Sequence, residues 1–181
     1  NNMLKADGYY TSDFTYANVY INNSYWGVYL VAEQQQSGAG RIEVTEPAKN
    51  ATNTDIGYIC ELDYYYNEEN PDLGGDPTFT INYDGGSLTN YDGGTVSGFI
   101  NGYTMKSDTY DDGQVSFIQN YVQNTYKIMY QAARNNTFYK WNSTYTALER
   151  AAQGEFSSVK DCVAATVDLQ SLVDMYIMQD I

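Results

Sequence analysis

Histidine is absent from this chain of 181 residues. With it go Ser-His-Asp triads, histidine metal sites and imidazole acid–base catalysis. Two cysteines are too few for a structural zinc site. No G-x-x-x-x-G-K-[ST] run occurs, which excludes the phosphate-cradling loop of P-loop NTPases. No apolar stretch approaches the roughly 20 residues that span a bilayer, and the opening run NNMLKADGYY lacks the basic-then-apolar layout of an export signal. Basic residues are scarce: nine Lys and Arg stand against 23 Asp and Glu, a net charge of −14. An acidic surface of that size repels phosphate backbones and anionic membranes, so nucleic acid is not expected as a partner.

What the chain does have is apolar and aromatic mass. At 43% hydrophobic and 15% aromatic residues, 20 of them tyrosine, it can build a sizeable core and suits one globular domain. It opens without an initiator Met and runs to Ile181 inside a helical pattern, so a piece of a longer protein is expected.

The stretch FTYANVYINNSYWGVYLVAE, Phe14 to Glu33, carries two alternating runs, Phe14 to Ile21 and Tyr25 to Ala32, around Asn22-Asn23-Ser24. That pattern predicts a β-hairpin. Strict alternation places Trp26, Val28, Leu30 and Ala32 on one face, and Tyr25, Gly27, Tyr29, Val31 and Glu33 on the other. Gly27 marks either a bulge or a close approach by a ligand or another backbone. Glu33 sits where the strand either faces a site or leaves the sheet.

Downstream, a loop over 34–40 precedes a short predicted strand, Arg41 to Thr45. From Gly57 to Tyr66 alternation projects Glu61 and Asp63 together, a pair suited to sharing a divalent cation, to raising one another's pKa if buried, or to a solvated edge. Asn82-Tyr83-Asp84-Gly85-Gly86 recurs as Asn90-Tyr91-Asp92-Gly93-Gly94 and reads as a small meander of Asp-Gly turns, with calcium binding as the sharper alternative. Ser97 to Lys106 is the last predicted strand.

The period then changes. Val115, Ile118, Val122, Thr125, Met129 and Ala132 predict an amphipathic helix from about Asp112 to Arg134, with Asp111 or Asp112 as N-cap. A second helix is expected over Thr144 to Gln153. A third should start at Asp168 and bury Leu169, Leu172, Val173, Tyr176 and Ile177. The whole reads as α+β: a mostly antiparallel sheet over 1–110 followed by a helical part over 111–181. Cys60 and Cys162 are either one disulfide, worth up to ~4.7 kcal/mol in the chain-entropy account, or two buried thiols. Sequons at Asn22, Asn50, Asn135 and Asn142 suit a secreted eukaryotic glycoprotein.

Val19, Tyr20, Ile21, Asn22, Tyr25, Gly27, Val28, Tyr29, Leu30 and Glu33 together resemble the opening motif of the CotH family of spore-coat kinases and related secreted proteins. Gly57 to Asp63 is similar to that family's G-x-L-L-E-L-D strand. Tyr103 to Ser107 is similar to its strand ending in Lys-Ser-Pro, with Asp108 where the family has Pro, and Asp168 to Ile177 follows in the family's order. The family's metal-binding and catalytic aspartates lie in later N-x-D and W-D-F-D segments, after the point where this chain ends. The resemblance therefore covers nearly all of this chain but only the front of the family domain.

The resemblance implies an atypical kinase-like small lobe and the start of a helical lobe. It implies a secreted or cell-surface parent transferring phosphate from ATP, with Mg²⁺, to Ser or Thr of surface or coat proteins. It places Glu33, Glu61 and Lys106 at the nucleotide-facing cleft, Lys106 on phosphate and a glutamate orienting it, with the catalytic aspartates beyond Ile181. The alternative is a CotH-like surface module without catalysis, serving adhesion or scaffolding through its tyrosines.

Overall fold

The computed structural model describes all residues except 1–4, 6–7, 35, 69–74, 83–87, 90–94, 97–101 and 180–181. The fold class is α+β, antiparallel sheets followed by helices. The chain divides into two compact units, residues 1–46 and 47–181.

Unit one is built on the expected hairpin, β1 (Phe14–Ile21) against β2 (Ser24–Ala32). Asn22 and Asn23 both take positive φ, 50° and 65°, the geometry of a two-residue turn whose twist matches the strands. Pairing steps from Val19–Gly27 to Tyr20–Tyr25, which leaves Trp26 as an extra residue on β2. This is a bulge, and Gly27 at φ 123° supplies the backbone freedom it needs. It also corrects the face assignment. Cross-strand partners share a face, so Tyr25 lies with Tyr20, Asn18 and Val28 and not with Tyr29. The Tyr20–Tyr25 ring contact at 5.3 Å and the bond from Tyr25 Oη to Asn18 Oδ1 at 3.4 Å agree. The strand expected over Arg41 to Thr45 reduces to an isolated bridge between Ser37 and Ile42.

Unit two holds a three-stranded antiparallel sheet in the order β3 (Cys60–Leu62), β7 (Gly102–Met105), β4 (Thr78–Thr80). A separate pair, β5 (Leu88–Thr89) and β6 (Thr95–Val96), lies within the repeat segment. Most of both Asn-Tyr-Asp-Gly-Gly copies, and 97–101 of the last predicted strand, fall outside the described residues. β7 is central and buried. At Gly102 a Cβ would collide with the ring of Tyr66, carried on a 3-10 turn over Tyr66–Glu68, so the close approach demands glycine.

Helix α1 (Asp112–Asn135) starts at the Asp111 N-cap, whose carboxylate accepts from Gly113 N at 2.7 Å, and ends at Asn136 in the left-handed region. It spans two cores. Ile118 packs with Phe79, Ile81 and Met105, while Ile128 and Ala132 pack with Cys162. Ile128, not Met129, is the fully buried residue of its turn.

The helix expected over Thr144 to Gln153 is instead a hairpin, β8 (Tyr139–Trp141) against β9 (Leu148–Arg150). Tyr145 takes φ 55°, outside the right-handed helical region, and Asn142 N donates to Ala147 O at 2.9 Å, so the backbone closes a turn here instead of a helical one. Leu148 joins the second core, and tertiary pairing overrides the helical propensity of Ala-Leu-Glu-Arg-Ala-Ala. A helix the periodicity missed, α2 (Val159–Ala164), begins at Ser158, whose Oγ accepts from Asp161 N at 3.1 Å. Its signal was a Ser followed three residues on by an acid. Helix α3 (Leu169–Gln179) starts as expected, Asp168 accepting from Gln170 N and Ser171 N. Its expected buried face is not buried: Val173, Tyr176 and Ile177 are exposed. Among the described residues, no helix is long and apolar enough to cross a membrane.

The two cysteines are free thiols in separate cores, so no disulfide joins them. Burial pushes Cys60 from 9.0 up to about 11. Burial, with Cys60 beside it, pushes Tyr58 from 10.0 up to about 12. Both acids prefer their neutral forms in the fold, so their contribution is complete below the unfolded values and lost as pH climbs through the folded ones. Urea unfolding of unit two should thus be insensitive to these groups below pH 9.0 and lose stability progressively toward pH 12; a Cys60→Ala variant should begin its loss later.

Gln114 is fully buried near the start of α1. Its Nε2 donates to Ala51 O (3.1 Å) and Asn53 O (2.9 Å), and its Oε1 accepts from Tyr110 N at 2.8 Å. Gln114→Ala removes three hydrogen bonds at a fully buried position and should cost roughly 2 kcal/mol or more by chemical denaturation.

Candidate functional site

Lys106 follows β7 directly, and its backbone N–H donates to Ile59 O at 2.8 Å. Ser107, buried, accepts from Ile59 N through its Oγ at 3.0 Å. These two bonds pin the strand end and fix where the lysine leaves the sheet. Its Nζ lies 3.3 Å from Asp76 Oδ2 and 3.5 Å from Glu61 Oε2, with the side chain 31% exposed. Glu61 is positioned by its own register, opposite Thr104 in the β3–β7 pair. Partial burial lowers the Lys106 pKa, and the Asp76 and Glu61 carboxylates outweigh it, holding the ammonium above its ordinary range.

Asp63 lies one residue past β3. Its carboxylate accepts from Thr104 Oγ1 and from Tyr65 N, both at 2.8 Å. The Thr104 and Tyr65 bonds, helped by the nearby Lys106 charge, hold it below the usual carboxylate range. Asp63 is therefore an anchor for the buried β7 threonine, while Glu61 faces Lys106. Their separate partners do not form a shared cation site. Among the described residues no group of three Asp, Glu, Cys or His side chains is placed to hold a metal ion.

Of the three residues expected at a cleft, Glu61 and Lys106 meet in unit two. Glu33 belongs to unit one. There its Oε2 accepts from Asp13 N at 3.0 Å while its own N–H donates to Asp13 O at 2.9 Å, closing the open end of the hairpin ladder. Asp76, the nearer partner of Lys106, was missed because it sits in an acidic, glycine-bearing segment that reads only as loop; spacing gives no signal for it. Among the sequons, Asn22, Asn50 and Asn135 are exposed. Asn142 is half-buried, and its Nδ2 donates to Thr146 Oγ1 at 3.1 Å, so that amide is part of the β8–β9 turn.

Chemically, the arrangement offers one partly exposed ammonium gripped by two exposed carboxylates at a rigid strand end. With one ammonium against two carboxylates, an anionic oxygen could reach the lysine only in place of one of them. No family model, curated protein or solved structure matches the chain.

Thr104→Val should remove the principal bond holding Asp63. The Asp63 carboxyl, followed by carbon NMR through an acid titration, should move up toward about 3.9. A depressed carboxylate stabilises above its unfolded pKa and ceases to do so as pH falls through the folded one. The variant should therefore lose part of the stability that wild type holds near neutrality and show less dependence on pH below about 4.

Proposed function

We propose that the chain is the front part of a CotH-like protein kinase, in which Lys106 contacts a phosphate of ATP and Glu61 orients it. The observation that supports this reading is the Lys106–Glu61 pair across adjacent strands, 3.5 Å apart. In kinases a strand lysine held by a glutamate is the phosphate contact, and catalysis rests on positioning and electrostatics. The residues described fit that contact. No group of three Asp, Glu, Cys or His side chains among them is placed to hold a metal ion, and no metal-dependent step is assigned to these side chains. Transfer to Ser or Thr of a surface protein, in a secreted or cell-surface setting, is part of the same proposal.

A second reading has its own support. Tyr16, Trp26, Val28 and Leu30 of the hairpin are between 58% and 69% exposed. A large exposed apolar patch of this kind marks interaction surfaces, which favours a CotH-like adhesion or scaffold module without catalysis.

Titration with ATP and Mg²⁺ separates the two. On the kinase reading ATP raises the melting temperature, as any ligand selective for the native state must. Lys106→Met should weaken ATP binding by about tenfold, the loss of one charge-assisted phosphate contact, and leave adenosine binding unchanged. Absence of any ATP-induced shift, or an ATP affinity indifferent to Lys106→Met, would leave the adhesion reading.

A further inference from the structure

Unit two carries a row of aromatic rings whose arrangement neither reading above uses. Phe117 and Tyr121 are one helical turn apart on α1, so their rings lie on the same face. Tyr58 stacks on Phe117 with centroids 6.0 Å apart and planes at 27°, and Phe117 continues to Tyr121 at 6.4 Å and 27°. Tyr121 stacks in turn on Trp141 at 4.9 Å and 8°. The Tyr58 hydroxyl donates to Thr54 O at 3.1 Å, which fixes that end of the row.

Tyr145 closes the other end, 6.3 Å from Tyr121 with the rings at 43°. It does so from an uncommon backbone: φ is 55°, a left-handed conformation that bulky aromatic residues rarely adopt. Its N–H donates to Asn142 O at 3.1 Å, so the β8–β9 turn holds it there. An Asn or Gly would satisfy this turn at less conformational cost. The turn instead spends strain on a ring that is 52% exposed, the pattern seen where strain serves a site.

Tyr58, Phe117, Tyr121 and Tyr145 line a cavity of about 570 Å³, within the size range of small-molecule sites. Among the described residues, Asp55 supplies its single carboxylate and no Lys or Arg lines it. Aromatic rings carry a quadrupole that favours a cation over their faces, the same charge preference as that of the Asp55 carboxylate. The chain's charge of −14 adds to them. An anion finds no counter-charge among these residues, and a neutral molecule gains nothing from the charge of Asp55.

We propose that this cavity binds a small organic cation, an alkylated ammonium group seated against the Phe117, Tyr121 and Tyr145 rings with Asp55 as its counter-charge. The selectivity comes from charge and not from shape alone. A neutral isostere of the same volume meets the same rings but gains neither the quadrupole nor the carboxylate.

The test is titration of the whole chain with choline and, separately, with 3,3-dimethylbutan-1-ol, its uncharged isostere, followed by aromatic proton shifts and intrinsic fluorescence. Choline should saturate and bind about tenfold or more tighter than the alcohol. Asp55→Asn should weaken choline by up to about fivefold and leave the alcohol unchanged. Tyr145→Gly removes one ring while suiting the positive φ, so it should keep or raise the melting temperature and still weaken choline. Equal affinity for the two compounds, no saturable choline binding, choline binding indifferent to both substitutions, or binding only of an uncharged sugar such as maltose would each overturn the proposal.

Discussion

Glutamine amides along α1 fasten the helix to the backbone of the segments packed beside it. Gln114 holds the carbonyls of Ala51 and Asn53, and Gln119 Nε2 donates to Thr80 O at 2.8 Å. Gln123 both donates to Asn82 O at 2.6 Å and accepts from Asn82 N at 2.5 Å. A side-chain amide carries the same donor and acceptor as a peptide, so Gln123 pairs with the chain beyond β4 much as a neighbouring strand would. β4 sits at one edge of the three-stranded sheet. Without these amides the edge carbonyls would face the helix unpaired, at a cost comparable to the net gain of several hydrogen bonds. β4 is thereby fixed against α1, β7 against β4, and the end of β7 carries Lys106. The placement of the lysine is inherited from glutamines on a helix.

Unit one follows a different physical logic. A two-stranded ribbon has no second layer, and isolated hairpins are marginal in water. Within unit one, among the described residues, the ribbon's shape is set by a turn of two positive-φ asparagines, the Tyr20–Tyr25 contact, and the reciprocal bonds between Asp13 and Glu33. Cross-strand pairs contribute only about 0.2–1 kcal/mol each. The ribbon is therefore defined in shape well before it is strongly stabilised.

The hairpin, α1 and the start of α3 were legible in the sequence because each is set by local pattern: strict alternation around Asn-Asn, a 3.6-residue period after Asp111, and an Asp at an N-cap. The bulge was half legible. Gly27 announced it, but only the pairing shows that Trp26 is the extra residue and that Tyr25 changes face. The Thr144 to Gln153 error has a single cause. Helical composition there is real, but Tyr145 takes a positive φ and Asn142 N donates to Ala147 O, closing a turn that propensity does not show. Gln114 was illegible for a related reason. A glutamine in the first turn of an amphipathic helix reads as solvent-facing, and only the loop folded over it makes it core. At the site, Glu61 and Lys106 were readable as strand residues, whereas Asp76 reaches the lysine from a loop that spacing cannot place.

The weakness of the Lys106 ion pairs bears directly on what that lysine can do. Both separations exceed 3.2 Å, and Glu61 and Asp76 are each more than half exposed. Exposed pairs of this kind are worth only about 0–1 kcal/mol and are screened by salt. A lysine locked in a tight buried pair would be structural, since removing either partner strands a charge. Here the opposite holds. On the proposed reading an incoming phosphate oxygen would replace Asp76 at little cost, because that carboxylate is more than half exposed and stays solvated when it lets go. Glu61 is carried on β3 in fixed register with β7, so it remains beside the ammonium and limits its reach. On the proposed reading, then, the two carboxylates are unequal: one is a placeholder for the ligand's charge, and the other is the guide that keeps the lysine aimed.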